Sequence, residues 1–381
     1  MPNYGLKYFA MKISETLKYN AALTEDRPCI DLISKALEDI VNKVEIHVNF
    51  SISHPDYKPL EVAENVVNDL QKLSPDDQRK YLSQQLNRYL YGIYYNGALR
   101  KSLSLRMGTT TLRSENSNDF LGMDFTFYDR LHINNQGEGY FDPNWQVITQ
   151  AEDNTLVVEK SGLKLYIERD RHLPANQKST DIGDLVRIRL PRNLLQNGFY
   201  MAVGNAGPDN TGETLVRVYF NLSPEGAVTV MKNVTTRLNQ LDIPFMFKAL
   251  YNPIDYDRFD SAVLYFEKNY YATIQPILQD IYAENQLFFQ PEIPLFTKFL
   301  SPGLGLAEEP GYKFSDLDSF GTNRCQVIVH GLLDAWDLGD NSPDIRMQAI
   351  LSYFSLLKIE LHRPYLNASS DDIYTILNHA N

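Results

Sequence analysis

The sequence predicts an α+β protein in three parts: a helical N-terminal region at 1–102, a β-rich region at 103–197 and an α+β core at 198–381 on a mixed or antiparallel sheet. Three observations carry this. Apolar residues recur at helical spacing over the first hundred residues, alternation with a period of two takes over after about residue 103, and the core then runs strand, helix, strand, strand, helix.

The helical reading begins at residue 7. Ile30, Leu32, Ile33, Leu37, Ile40 and Val41 mark one helix, and a second is expected from about Pro59 to Leu73. Ser74-Pro75-Asp76-Asp77 caps a third that closes at Gly97. From about Gly108 to Trp145 the density of Gly, Asn, Asp and aromatics predicts loops with short strands. Strands follow at 155–160, 163–169, 185–191 and 198–205. The turn formers at 205–212 predict a hairpin between GFYMAVGN and the next strand, LVRVYFN. Ser223-Pro224-Glu225 then supplies a cap, a proline at the first helical position and an acid in the first turn. The helix it opens presents Val230, Met231, Val234, Leu238 and Leu241 and stops before Pro244. FMFKAL at 245–250 and SAVLYFEK at 261–268 are strands, and a helix runs on to about Leu287. The stretch from Phe296 to Cys325 reads as one long Gly- and Pro-punctuated loop of the kind that covers a site, before helices starting near Arg324 and Pro343.

At 381 residues with 43% hydrophobic content the chain can bury one large core or two ordinary ones. A net charge of −12 excludes general binding to nucleic acid or anionic membrane, so any anion must be held by a local basic cluster. Two distant cysteines and seven scattered histidines offer no disulfide framework and no metal-ligand spacing. No cofactor or metal is therefore expected. The first twenty residues lack a signal-peptide core and no run approaches a membrane span, which points to the cytoplasm.

The chemistry-bearing residues concentrate in the core. Arg217, Tyr219 and Asn221 share one face of a strand whose other face is Val216, Val218 and Phe220. Lys248 shares its face with Met246 and Leu250, so its ammonium is either paired or partly desolvated, and desolvation lowers a lysine pKa towards that of a useful base. Arg258 precedes the next strand and Tyr265 lies in it. Two readings stand. In one, Arg217 and Arg258 are ion-paired with Asp255, Asp257, Asp260 or Glu267, and Lys248 reaches solvent at a sheet edge. In the other, the guanidinium groups converge on a phosphate. His330 reads as a partly buried helix residue, the glycines of SPGLGLAEEP lack the lysine of a phosphate loop, and Cys325 has no evident base partner.

The segments GFYMAVGNAG, LVRVYFNLSPEGAV, IPFMFKAL, YDRFDSAVLYFEK, FTKFLSPGLGLAEEP, SFGTNRC and HRPYLN resemble the HopA-like type III effector family, over about residues 89–367. Bacterial relatives in that family sit in clusters that make modified ribosomal peptides, including class V lanthipeptides and thioamide-containing peptides. The resemblance implies a lyase that follows a separate Ser/Thr peptide kinase, possibly in complex with it, and eliminates phosphate from phosphoserine or phosphothreonine of a precursor peptide to leave dehydroalanine or dehydrobutyrine. A more distant similarity, to effector phosphothreonine lyases, implies a lyase-like core. There Lys248 would be the base, and Arg217, Arg258, Arg324 and Tyr265 would hold phosphate, with Asn221 as an auxiliary group. Those lyases place a histidine two residues beyond the basic residue of the first strand, as general acid. This chain has Tyr219 there, as a candidate proton donor.

Two other functions remain open. A peptide- or phosphopeptide-binding scaffold that has lost elimination fits the missing histidine. An effector that binds host proteins fits the family, although no secretion signal is recognisable in the N-terminus.

Overall fold

The computed structural model describes residues 27–105, 122–151, 155–208, 212 and 214–377. The helical pattern at 7–26, part of the loop-rich stretch at 106–121, turn residues 209–211 and His379 lie outside the described residues. Three sheets organise the rest. A small one joins β1 (Glu45–Ile46), β2 (Ile52–His54) and β3 (Tyr57–Leu60). A four-stranded sheet in the order β6-β5-β4-β7 contains β4 (Tyr140–Gln150), β5 (Thr155–Lys160), β6 (Leu163–Glu168) and β7 (Leu185–Leu190). The third has seven strands: β8 (Asn193–Gln196), β9 (Phe199–Val203), β10 (Leu215–Phe220), β11 (Met246–Leu250), β12 (Ala262–Glu267), β13 (Lys298–Ser301) and β14 (Leu304–Glu308). Its order is β13-β14-β10-β12-β11-β9-β8, and its pairings are antiparallel.

Several expectations are corrected. The N-terminal region is not purely helical, because 45–60 forms β1 to β3, and the second helix is only Glu64–Leu70. The loop-rich stretch contains the helix Phe125–Asn134, capped by Asp124, whose side chain accepts from Phe127 N at 2.9 Å. The hairpin of β9 with β10 does not form: β9 pairs with β8 and β11, while β10 lies between β12 and β14. The alternation of a strand does not name its neighbour. The long loop after Phe296 is a hairpin at first. β14 enters the sheet beside β10, and Gly303, at φ +75°, turns the chain where a Cβ would lie 2.2 Å from Gln290 O.

The seven-stranded sheet has one apolar face and one mixed face. Val218, Leu264, Phe247 and Ala202 form a cross-strand row on the first, and Phe220, Ala262, Ala249 and Tyr200 form the next. These are buried in a core shared with the helices Pro224–Gln240 and Tyr271–Asn285. Each large apolar side chain buried there contributes roughly 1.5–3 kcal/mol. The core continues through residues as far apart as Ile33 and Leu377, so the N-terminal helices and the seven-stranded sheet share it. The four-stranded sheet has its own cluster, including Trp145, Val158 and Ile188.

The mixed face is covered by the helix Phe320–Asp337 and by the chain around Tyr91–Tyr95, where the helix Pro75–Leu90 widens into a π-helical turn. The covering helix is fixed by a capping box of Ser319 with Thr322. It packs against the helix Pro343–Leu356 closely enough that a Cβ on Gly331 would lie 2.5 Å from the backbone of Ile350. Gly331→Ala therefore forces two helices apart, and urea unfolding should show a loss of about 1–3 kcal/mol. An unchanged midpoint would show that the contact yields freely.

Candidate active site

Register decides what the mixed face carries. In one cross-strand row Arg217 is paired with Tyr265, which is paired with Met246. In the adjacent row Tyr219 is paired with Val263, which is paired with Lys248. Directly paired residues of antiparallel strands point to the same side, so both rows face the covering segments.

The side chains then interleave charge with rings. The Arg217 guanidinium lies 5.1 Å from the centroid of Tyr265, and Lys248 Nζ lies 5.4 Å from the same ring. Lys248 Nζ is also 4.4 Å from the ring of Phe199, which has the Arg258 guanidinium at 5.7 Å. Two aromatic rings thus link three cations, each contact contributing about 0.5–2 kcal/mol. Arg324 stands further in, 4.9 Å from the Phe320 ring and within electrostatic reach of Tyr95 and Tyr219. The structure therefore gathers Arg217, Tyr219, Lys248, Arg258, Tyr265 and Arg324 into one neighbourhood. Asn221 is the exception, since its amide donates to Glu292 O at 3.0 Å and serves the loop before β13.

Of the four cations, Arg258 alone has a carboxylate partner that was expected. Arg258 is ion-paired with Asp260, through Nε at 2.5 Å and Nη2 at 2.8 Å. Arg217 is held by Glu309, a residue outside the acids expected for it. Arg324 is buried and donates to Pro364 O at 2.8 Å, Leu366 O at 3.2 Å and Asn323 Oδ1 at 2.7 Å. Lys248 is not at a sheet edge, because β11 lies between β12 and β9. It is half-buried beside half-buried Phe199, Met201 and Met246, and its nearest polar contact is Gln196 Oε1 at 3.5 Å. Among the described residues no carboxylate forms a salt bridge with it.

Burial sets the proton positions. It works against charge on Arg258, but the adjacent Asp260 outweighs it and raises the guanidinium. Burial would raise the Asp260 carboxyl, yet the charge and hydrogen bonds of Arg258, with help from Lys248 and Tyr91, hold it below its ordinary value. Burial also opposes charge on Arg217, and the oxygens of Tyr265, Tyr219 and Glu309 override it. Arg324 has no carboxylate on it, and burial pulls it down to about 10, still charged at neutral pH. Tyr219 is raised by burial more than Arg217 lowers it, so its hydroxyl stays protonated.

Sequence reasoning missed Glu309, Tyr91, Tyr95 and Asn96. Tyr91 Oη donates to Asp260 Oδ2 at 3.1 Å and Asn96 Nδ2 donates to Asp260 Oδ1 at 3.2 Å. Tyr91 and Tyr95 stack with centroids 4.9 Å apart, and Tyr95 meets Tyr219 edge-on at 6.4 Å. The hydroxyls of Tyr95 and Tyr219 are buried without a hydrogen bond of standard geometry, although each is close enough to influence the other's ionisation. A run of tyrosines at the end of a helix, YLYGIYY, was the available signal.

Other features do not compete. A cavity of about 280 Å³ is lined by Cys29, Tyr94, Arg100, Phe259, Leu295 and Phe299 among others, but by none of the clustered cations. It is mainly apolar, and the surplus charge lies elsewhere. His330 stacks on Tyr353 at 5.3 Å, and burial lowers its pKa, as befits a partly buried helix residue. Cys29 and Cys325 are buried thiols, that of Cys29 donating to Thr297 O at 3.3 Å, and burial pushes the Cys325 thiol up, away from reactivity. Among the described residues no group of three His, Cys, Asp or Glu is placed to hold a metal, and no helix is long and apolar enough to cross a membrane.

Residues 190–366 match the model of the HopA1 effector protein family. Similar solved structures include the effector protein from Pseudomonas syringae pv. tomato strain DC3000, at 17% identity and TM-score 0.38, covering 64% of this chain and 81% of that one. The effector protein from Pseudomonas syringae pv. syringae strain 61 is similar at 15% identity and TM-score 0.38, with the same coverage. No curated protein matches the sequence.

Two outcomes test this geometry. Asp260→Ala leaves a buried guanidinium unpaired and should cost about 3–5 kcal/mol at neutral pH, measured by denaturant unfolding. Because the folded carboxyl is held below its ordinary 3.8, that contribution is complete above pH 3.8 and disappears only as pH falls through the lower folded value. The gap between variant and parent should therefore close in acid and stay open at neutral pH. Tyr95→Phe, by contrast, removes an unpartnered hydroxyl and should leave the midpoint unchanged or raised. A loss above about 1 kcal/mol would show that the two hydroxyls bond to each other.

Proposed function

Because residues 190–366 are a HopA1-family region, we propose that this chain is a lyase eliminating phosphate from phosphoserine or phosphothreonine in a peptide, downstream of a separate Ser/Thr peptide kinase. The observation that carries the reading is the surplus of positive charge on the mixed face. Among the described residues Arg217, Lys248, Arg258 and Arg324 form salt bridges only with Asp260 and Glu309, with Glu308 within electrostatic reach of Arg324, in a protein whose net charge is −12. Such a surplus is costly unless an anion completes it.

Lys248 suits the base. Like Arg324 it has no carboxylate salt bridge among the described residues, but unlike buried Arg324 it is half-buried and borders the apolar surface of Phe199, Met201 and Met246, where a peptide can lie. In the reaction, Lys248 first gives its ammonium proton to solvent, and its amine then takes the α proton of the phosphorylated residue. The electrons of that C–H bond form the Cα=Cβ double bond as the Cβ–O bond breaks, and phosphate leaves with the bonding pair. The guanidinium groups offset the charge that grows on phosphate, which is the largest demand of the transition state. Tyr219, held protonated, serves as a hydrogen-bond donor rather than as an acid that gives up its proton. The arginines then carry the leaving group without a dedicated general acid.

A second reading, a phosphopeptide-binding scaffold, is favoured by one observation: each arginine already has internal partners, as in a site that binds without turnover.

Incubation of the protein with a phosphoserine peptide should yield dehydroalanine and free phosphate, read by mass spectrometry and phosphate assay. Lys248→Ala should reduce the rate by at least about 100-fold, the usual contribution of a positioned base, with phosphopeptide affinity and unfolding midpoint little changed. Binding by the parent protein without dehydration would remove the lyase reading in favour of the scaffold.

A further inference from the structure

Glu309 follows β14 directly and is held in register with the strand that carries Arg217. Its backbone N donates to Leu215 O at 2.7 Å, and its carbonyl accepts from Asn367 Nδ2 at 2.8 Å. The carboxylate takes Nε and Nη2 of Arg217 on Oε2, the fork that a guanidinium offers to an oxyanion. Its other oxygen, Oε1, is 2.6 Å from Lys313 Nζ. The Glu309 side chain is 17% exposed and that of Arg217 13%, so the pair reaches solvent at the rim of the mixed face. Arg217 is therefore occupied, at its rim, by an oxyanion belonging to the protein itself.

We propose that Glu309 is a specificity-determining residue whose carboxylate stands where substrate phosphate binds Arg217, so that a dianion displaces it and a monoanion does not. The inference rests on the lyase reading of the same face. A peptide Asp or Glu that replaced Glu309 would exchange one carboxylate for another of equal charge, and would lose the advantage of a group tethered in place. A phosphoryl group brings about −1.5 to −2 charge and three acceptor oxygens. It can engage Arg217 together with a neighbouring cation, and Lys313 remains to hold the released Glu309. The carboxylate thus rejects acidic residues and admits phosphorylated ones, a repulsive element built for selectivity.

The test is binding, which needs no turnover. Affinity is measured by calorimetry at fixed salt for a phosphoserine peptide and for the same peptide with glutamate at that position, in the parent, Glu309→Gln and Glu309→Asp. The parent should bind the phosphopeptide at least ~10-fold more tightly than the glutamate peptide. Glu309→Gln should tighten phosphopeptide binding by ~10-fold and glutamate-peptide binding by more, so that discrimination narrows. Glu309→Asp keeps the charge but shortens its reach. It should move both values in the same direction by less, and it carries the test if Glu309→Gln fails to fold. Weaker or unchanged binding of both peptides by a folded variant overturns the proposal, because Glu309 would then position Arg217 instead of competing for it. Selectivity that narrows as expected in a protein that releases no phosphate would sink the lyase reading and leave the filter standing.

Discussion

The arrangement depends on the register of β10, β12 and β11. Tyr265 is the central residue, with the Arg217 guanidinium 5.1 Å and Lys248 Nζ 5.4 Å from its ring centroid. This follows only because Arg217 pairs with Tyr265 and Tyr219 with Val263 and, beyond it, Lys248. A slip of one residue would turn Val218 and Phe247 towards the mixed face and bury the cations among Leu264 and Ala202. The apolar face forbids that slip, since its rows are packed under the helix Pro224–Gln240. Hydrophobic burial on one side of the sheet thus fixes the electrostatics on the other.

Residues that support the charges lie about a hundred residues before the stretch 190–366 that matches the family model. Tyr91 and Asn96 complete the shell of Asp260, and Tyr95 lies against Tyr219. They arrive through the π-helical turn at Tyr91–Tyr95, a widening that appears mainly where side chains need re-aiming. The chain then locks onto its surroundings, as Phe259 N donates to Asn96 O at 2.8 Å and Leu295 N to Tyr95 O at 3.0 Å. The N-terminal helices are consequently part of the site's support. They share its core, and they supply neutral hydroxyls to a region already crowded with charge.

Local chemistry in the sequence was readable, and long-range pairing was not. Alternation placed Arg217 and Tyr219 on one face, and Ser223-Pro224 announced a helix whose cap is seen, with Gly226 N donating to Ser223 Oγ at 3.2 Å. The antiparallel alternative for the core sheet is the one observed. The hairpin of β13 and β14 was hidden because β14, LGLAE, is buried on both faces and has no alternation. Its Pro-Gly turn, flanked by apolar runs, was the signal that could have revealed it. Glu309 was missed for the same reason, since a residue at the end of an unrecognised strand has no visible neighbour. The missed partners of Asp260 have a different cause: Asp260 was among the acids expected for Arg258, but Tyr91 and Asn96 approach it from about 165 residues away in sequence, a separation no spacing argument bridges.

On the proposed reading, an anion that enters this face exchanges partners instead of filling an open socket. Arg258 keeps Asp260, which is buried and held by two further donors, so that pair is the fixed part of the cluster. Arg324 is bound to carbonyls of the chain at 364–366 and contributes field more than contact. Arg217 is the exchangeable member, because its carboxylate partner is reached from the rim and has a second cation, Lys313, to fall back on. Lys248, bordered by rings and within electrostatic reach of Asp260, has no carboxylate salt bridge among the described residues. The proposed anion site rests on this division between a fixed pair, a field-supplying arginine, a pair at the rim and a lysine without a salt bridge.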